Sequence, residues 1–251
     1  MPANRRYTPE FAAEHARRLT DASPQEILTW AYRQFHPRLL MACSFGGASG
    51  MVLVDMAMKI QKDARIFYID TDFLFPETYE TVQKVEQRYG FKAEVYKSLL
   101  TPEQQAEKHG DELWKRTPDN CCGLRKVEPN ERAMATVDAW ITGIRKDQSK
   151  TREEVAVVQW DEGFDVVKVN PLASWTEDQA WDYVREHKVI VNALLGRGYK
   201  SIGCTHCTRP VKAGEDARAG RWDGFDKVEC GLHVVKPKAK NIPENTESTR
   251  S

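Results

Sequence analysis

At 251 residues the chain is long enough for one large domain, and a hydrophobic share of 41% is sufficient for a proper core. Lys and Arg together number 37, as do Asp and Glu, so the general pull toward nucleic acid or an anionic membrane that a basic protein has is missing. No charged leader with an apolar stretch and no run of bilayer-spanning length stands out. A soluble cytoplasmic protein with no nucleic-acid and no membrane partner is expected.

Thr8-Pro9-Glu10 and the capping box Ser23-Pro24-Gln25-Glu26 each predict a helix start with proline at the first helical position, so residues 1–36 form an N-terminal helical segment. Residues 39–43 read as a buried strand, Ser44 to Ser49 as a loop, 50–60 as a helix and 64–69 as the next strand, which makes one βαβ unit. A helix over 76–88 closed by Gly90, a strand over 91–96, part of a helix over 127–135 and a strand over 139–142 follow. Residues 155–159 and 166–169, split by Asp161-Glu162-Gly163, predict a hairpin, and 176–186 predict a well-capped helix. Parallel strands separated by helices predict an α/β fold with a doubly wound, mostly parallel sheet. Composition shifts at Lys212, and 236–251 is polar without apolar periodicity, as in a disordered tail. The expected organisation is therefore 1–36, a core over 37–211, a C-terminal segment over 212–235 and a tail.

Six cysteines without a secretory leader fit metal or catalytic use better than a disulfide framework. Cys121-Cys122 and Cys204-x-x-Cys207 make four thiolates. Adjacent cysteines diverge, which strains a single tetrahedral zinc, whereas a cuboidal 4Fe-4S cluster offers each thiolate its own iron corner. The spacing favours one 4Fe-4S cluster. A zinc site with His206 as a nitrogen ligand, a redox dithiol and structural thiols are the alternatives. Cys43 ends an apolar run and reads as inert core, which leaves Cys230 for chemistry.

Ligands in open α/β sheets bind beyond the carboxyl ends of the strands. Ser44-Phe45-Gly46-Gly47-Ala48-Ser49 supplies small residues and backbone N–H groups at a helix start, the requirement for cradling an anion; an ordinary glycine turn is the plainer reading, and the Walker ending is missing. Asp70-Thr71-Asp72 and Phe75-Pro76-Glu77-Thr78 are either nucleoside contacts or a helix cap. Thr142-Gly143-Ile144-Arg145-Lys146-Asp147 ends the fourth strand either with cations suited to a phosphate or sulfate or as a solvated basic turn. Arg125-Lys126 follows the cysteine pair and brings positive charge toward both thiolates and an anionic substrate.

These segments, with Gly203-Cys204-Thr205-His206-Cys207-Thr208-Arg209-Pro210 and Glu229-Cys230-Gly231-Leu232-His233, resemble the assimilatory sulfonucleotide reductases over about residues 39–233. The resemblance is to the bacterial adenylyl-sulfate reductases that carry a 4Fe-4S cluster and use thioredoxin. It implies a fold like the adenine nucleotide alpha-hydrolases (the PP-loop group), a nucleotide-binding and reductase core over 37–211, and a catalytic C-terminal lid. The implied reaction is reduction of adenosine 5′-phosphosulfate to sulfite and AMP, in sulfate assimilation and cysteine biosynthesis. Cys230 would attack sulfur to give S-sulfocysteine, and thioredoxin thiols would release sulfite. By motif position, Ser44, Phe45 and Gly46 lie at the nucleotide, and Arg125, Lys126 and Arg145 at the phosphosulfate. Arg218, Arg221 and His233 reach the substrate from the C-terminal side, and Cys121, Cys122, Cys204 and Cys207 hold the cluster. Cations flanking Cys230, Lys227 included, would stabilise a thiolate.

Two positions depart from the pattern: Gly47 to Gly50 is neutral where relatives commonly carry acidic residues, and His206 stands where many have proline. With no thioredoxin-like sequence after the lid, the reductant is expected to be a separate partner, and a homo-oligomer is left open. Use of the 3′-phosphorylated substrate, alone or alongside, is the nearest alternative function. A PP-loop tRNA thiolase and a zinc-stapled, non-catalytic module are more remote ones. The need for thioredoxin to reach a buried sulfur predicts a mobile lid over 212–233, with Gly214, Gly220 and Gly224 inside it.

Overall fold

The computed structural model describes residues 6–227 and 229–232; His233 and the 236–251 tail lie outside the described residues. Helix α1 (Pro9–Arg18) starts on Thr8, whose side chain accepts from the Phe11 N–H, and α2 (Pro24–Phe35) starts on the reciprocal Ser23/Glu26 box. Strand β1 (Leu39–Ala42), α3 (Ala48–Ile60), β2 (Ile66–Asp70), α4 (Pro76–Tyr89) and β3 (Glu94–Lys97) follow. Then come α5 (Pro102–His109), α6 (Leu113–Arg116), α7 (Pro118–Cys122), a π-helical turn (Gly123–Val127) and α8 (Glu128–Met134). Strands β4 (Ala139–Ile141), β5 (Val158–Asp161) and β6 (Val166–Val169) and helix α9 (Glu177–His187) complete the main elements.

The sheet order is β3-β2-β1-β4-β6-β5, parallel except for the β5–β6 hairpin at one edge. The chain winds outward from β1 to β3, then returns to lay β4 on the other side of β1. That reversal opens a crevice at the carboxyl ends of β1 and β4, where doubly wound folds bind ligands. Alternate strand residues serve the two faces. Leu39, Met41, Ala139, Ile141, Val167 and Val169 join the larger core with α2, α3 and α9. Leu40, Phe67, Trp140 and Val166 face the smaller one, closed by Ala133 and Met134 of α8. Each valine, leucine, isoleucine, methionine or phenylalanine among them contributes about 1.5–3 kcal/mol on removal from water.

Two strands start three residues later than the sequence reading has them. The third strand begins at Glu94, not at 91, because the turn after α4 consumes the preceding groups. Gly90 is left-handed (φ 71°), the Gly90 and Phe91 N–H groups bond the Glu86 carbonyl, and the Ala93 N–H bonds the Glu86 side chain. The first hairpin strand runs Val158–Asp161 instead of 155–159, since the Val155 N–H is spent on the Arg152 carbonyl and the register pairs Val158 with Val169. The helices between residues 102 and 122 had no counterpart in the sequence reading.

Candidate active site and cysteine cluster

A cleft of about 410 Å3 occupies the crevice, and its wall includes Ser44, Lys126, Arg145, Arg152, Arg218, Arg221 and Cys230. No side chain caps α3, whose N-terminal residues Gly47, Ala48, Ser49 and Gly50 line the same space. The leading N–H groups of an uncapped 13-residue helix are a ready anion cradle. Gly143, after β4, packs backbone to backbone against that helix start. A Cβ there would lie 3.2 Å from the Gly50 nitrogen and 3.3 Å from the Ser49 carbonyl carbon, so a larger residue would press on the backbone of the helix start. Arg145 crosses the junction, donating from Nη1 to Ser49 Oγ and from Nε to Asp147 Oδ1 at 2.9 Å.

Of Ser44, Phe45 and Gly46, only Ser44 faces the cleft. Phe45 is fully buried with a left-handed backbone (φ 51°), edge-on to Tyr68, and its carbonyl accepts from Asn192 Nδ2 at 3.2 Å. Gly46 backs onto Ile202, which a Cβ would meet at 3.1 Å. These two shape the loop from behind. Asp70 and Asp72 turn to internal work: Asp70 accepts from Tyr79 Oη at 2.7 Å and from the Asp72 N–H at 2.9 Å, and Lys97 pairs with both. Thr71 and Thr78 do reach the cleft wall.

Cys121, Cys122, Cys204 and Cys207 are free thiols that surround a second, small cavity of about 10 Å3 together with Phe73, Trp114 and Lys126. Helix α7 carries the first two. The Cys204 loop is tied to the turn after β2: the Thr205 N–H donates to the Phe73 carbonyl at 2.8 Å, and Thr71 Oγ1 lies 3.3 Å from Cys204 Sγ. Burial, with the other thiols close by, pushes Cys121 and Cys207 up to about 11. Among the described residues, no three His, Cys, Asp or Glu side chains converge as the ligands of a single metal ion. His206 lines the same cavity, its ring stacking on Trp114 at 4.1 Å and meeting Phe73 edge-on. Cys43 is fully buried, and burial pushes its thiol up to about 12, as an inert core residue should be.

Arg125 and Lys126 part company. Arg125 is 1% exposed and absent from the cleft wall. Its guanidinium donates to Gln105 Oε1 at 2.7 Å, Asp72 Oδ2 at 2.9 Å and the Thr71 carbonyl at 3.0 Å, and it lies over the Phe73 ring. Lys126 lines both cavities. Burial opposes its charge, but nearby Cys204, Cys122 and Cys230 outweigh that and raise its pKa.

The C-terminal segment closes the cleft. The Trp222 N–H donates to the Cys207 carbonyl at 3.1 Å, Arg221 stacks on Trp222 at 4.4 Å, and Lys227 pairs with Asp119 of α7. Glu229, next to Cys230, forms ion pairs with Arg152 and Arg218. The sequence reading missed Arg152, although it is one more basic residue in the loop after β4. It also missed Asn192, which bonds both Phe45 and Thr78 and carries no sequence signal.

Fold and site define a doubly wound α/β protein with an anion cradle at the switch point and a cysteine at the rim of the same cleft. A family model for the phosphoadenosine phosphosulfate reductase domain matches residues 38–210. An adenosine 5′-phosphosulfate reductase of Shouchella clausii is 48% identical over 218 residues, covering 86% of this chain and 90% of that protein. Adenosine 5′-phosphosulfate reductase 2 of Bacillus subtilis is 46% identical over 83% of this chain and 88% of its own length. The chain belongs to the phosphoadenosine phosphosulfate reductase family, the sulfonucleotide reductases. Among solved structures, phosphoadenylyl-sulfate reductase from Candida auris, a phosphate complex, superposes with a TM-score of 0.71 at 37% identity, covering 81% of this chain and 98% of that one. An FMN adenylyltransferase of Candida glabrata shares the fold alone, at a TM-score of 0.55 and 16% identity. No described helix is long and apolar enough to cross a membrane.

Proposed function

We propose that the protein reduces adenosine 5′-phosphosulfate to sulfite and AMP, with Cys230 as nucleophile and a thioredoxin as reductant. The observation that carries this reading is the meeting, on one cleft, of the α3 start, Arg145, Lys126 and Cys230, in a family whose similar members at 46–48% identity are named for that substrate.

The Cys230 thiolate forms a bond to the substrate's sulfur, and the bond from that sulfur to the bridging phosphate oxygen breaks, releasing AMP. Phosphate is a good leaving group, so no strong general acid is needed. The uncapped N–H groups of α3 and the Arg145 guanidinium suit the nucleotide's phosphate, while Lys126, Arg218 and Arg221 suit the sulfo group. A thioredoxin thiolate then attacks Cys230 Sγ and expels sulfite. Its second thiol resolves the mixed disulfide, supplying the two electrons and regenerating Cys230.

One 4Fe-4S cluster on Cys121, Cys122, Cys204 and Cys207 belongs to this reading. Four free thiols around one small cavity beside a buried lysine, two of them adjacent in sequence and so divergent, suit a polynuclear group better than a lone zinc. Bound there, the cluster would tie α7 to the Cys204 loop and supply a concentrated charge next to Lys126. Lys126 then steadies both that charge and the substrate.

Intact-mass measurement after anaerobic incubation with adenosine 5′-phosphosulfate and no reductant tests the reaction. An SO3 adduct mapped to Cys230, with stoichiometric AMP, is expected, and Cys230→Ser should give neither. AMP release without an adduct on Cys230 would overturn the assignment. An adduct formed only from the 3′-phosphorylated substrate would shift the specificity to the one named for the C. auris structure.

A further inference from the structure

We infer that Glu229 is the positioning residue for Cys230, acting as a latch that fastens the cysteine's segment across the cleft. The inference rests on the reading of Cys230 as nucleophile. The Glu229 carboxylate is gripped on both oxygens: Arg152 Nε donates to Oε1 and Nη2 to Oε2, each at 2.9 Å. Arg218 Nη2 reaches Oε2 at 3.3 Å and Thr151 Oγ1 reaches Oε1 at 3.4 Å. Side-chain exposures of 6% for Glu229 and 11% for Arg152 place the fork out of bulk water. Parallel N–H···O bonds to one carboxylate fix direction as well as distance, so the backbone beside Glu229, and with it Cys230, has one docked position.

The anchor on the other side is equally specific. Arg152 Nη1 donates to Gln148 Oε1, which also accepts from the Arg145 N–H at 3.2 Å, while Gln148 Nε2 donates to the Gly143 carbonyl at 3.5 Å. Arg145 and Gly143 are the residues that brace the start of α3. One chain of hydrogen bonds therefore runs from the anion cradle to the residue before the nucleophile. Contact between residue 152 and residue 229 is tertiary, so it exists only while the segment is down.

The energetics suit a part that moves. The attraction in a buried ion pair is largely offset by the desolvation of both partners, so undocking the whole fork into water is cheap, whereas deleting one partner leaves the other charge buried and alone. Glu229 thus specifies where Cys230 sits at little net cost to opening, which a cysteine that must face first a nucleotide and then a partner thiol requires.

Hydrogen exchange on the full-length protein without nucleotide tests the latch directly. In Glu229→Gln, amides of residues 212–227 and 229–232 should exchange about tenfold faster, while β1 and β4 keep their protection. Arg152→Gln should do the same, and the double variant should open no further than either single, the signature of one shared interaction. With substrate, Glu229→Gln should slow single-turnover adduct formation about tenfold and leave AMP affinity unchanged, a split that simple unfolding would not give. Unchanged exchange in both singles, or additive loosening in the double, would overturn the latch. Coupled loosening with no adduct even in the parent protein would uphold the latch and remove the reaction assigned to Cys230.

Discussion

Lys168 shows at a single side chain how burial alters chemistry. It rises from β6 against the Trp140 ring, 4% exposed, with Asp161 at 3.8 Å. Burial pulls its pKa down to about 8, Asp161 offsetting only part of the effect. An unfolded lysine titrates near 10.4, so between about pH 8 and 10.4 the unfolded chain holds a proton that the folded one has released. Lys168's contribution to stability therefore rises with pH through that window, and its penalty is complete below it. In Lys168→Met that rise disappears: from pH 8 to 10 the parent should gain on the variant, by up to about 3 kcal/mol, in denaturant midpoints taken at both pH values. A difference that does not change with pH would contradict the assignment. Neither Lys168 nor Arg125 was legible for what it is. The sequence shows adjacent Arg125-Lys126 as one basic pair, and only the packing turns Arg125 inward to Gln105 and leaves Lys126 between the two cavities.

Among the elements, those announced by local physics were legible, and those held by distant partners were not. Helices α1, α2 and α9 start where Thr8, Ser23 and Thr176 cap them, and α4 stops where Gly90 turns left-handed. Helix α5 has an equally good Thr101/Gln104 box, but its apolar face is too sparse to register as core, since its buried residue is Gln105. That glutamine exists to meet Arg125, which pins α5, the turn after β2 and the π-helical turn together. Arg125→Met strands Gln105 Oε1 without its donor, leaves Asp72 with Lys97 as its one ion-pair partner among the described residues, and should lower stability by about 3 kcal/mol, read from urea unfolding. It should also loosen the Cys204 loop, because Thr71 binds both. A variant as stable as the parent would show the pin to be dispensable.

For the molecule as a whole, the doubly wound sheet was readable from alternating strands and helices. For the C-terminal segment a lid was expected, but the contacts that hold it, to Arg152 and Asp119, were not readable, since those partners lie far away in sequence. Ligand linkage follows from that architecture. AMP at about 100 times its Kd should stabilise the native state by about 2.7 kcal/mol in a melting experiment, and a protein indifferent to AMP would exclude the nucleotide cleft. If the proposed cluster is bound, anaerobic removal of its iron should bleach the visible absorption and lower the melting temperature, because α7 and the Cys204 loop would lose a shared tie. A colourless protein that releases zinc instead would reverse the choice of metal.

Between the paired cysteines and α8 the backbone takes one wide turn, with the Glu128 N–H bonding the Gly123 carbonyl five residues back. Such a turn takes in one residue more than regular helix while leaving the elements on either side nearly in phase, since five residues at the wide pitch sweep about the angle that four do at 3.6 per turn. Taking one residue other than Arg125 or Lys126 out of 123–127 would therefore let the stretch relax to regular pitch without swinging α7 away from α8. The window tolerates a change of length better than a change at its two basic residues, and a homologue one residue shorter there should still keep the cysteine pair.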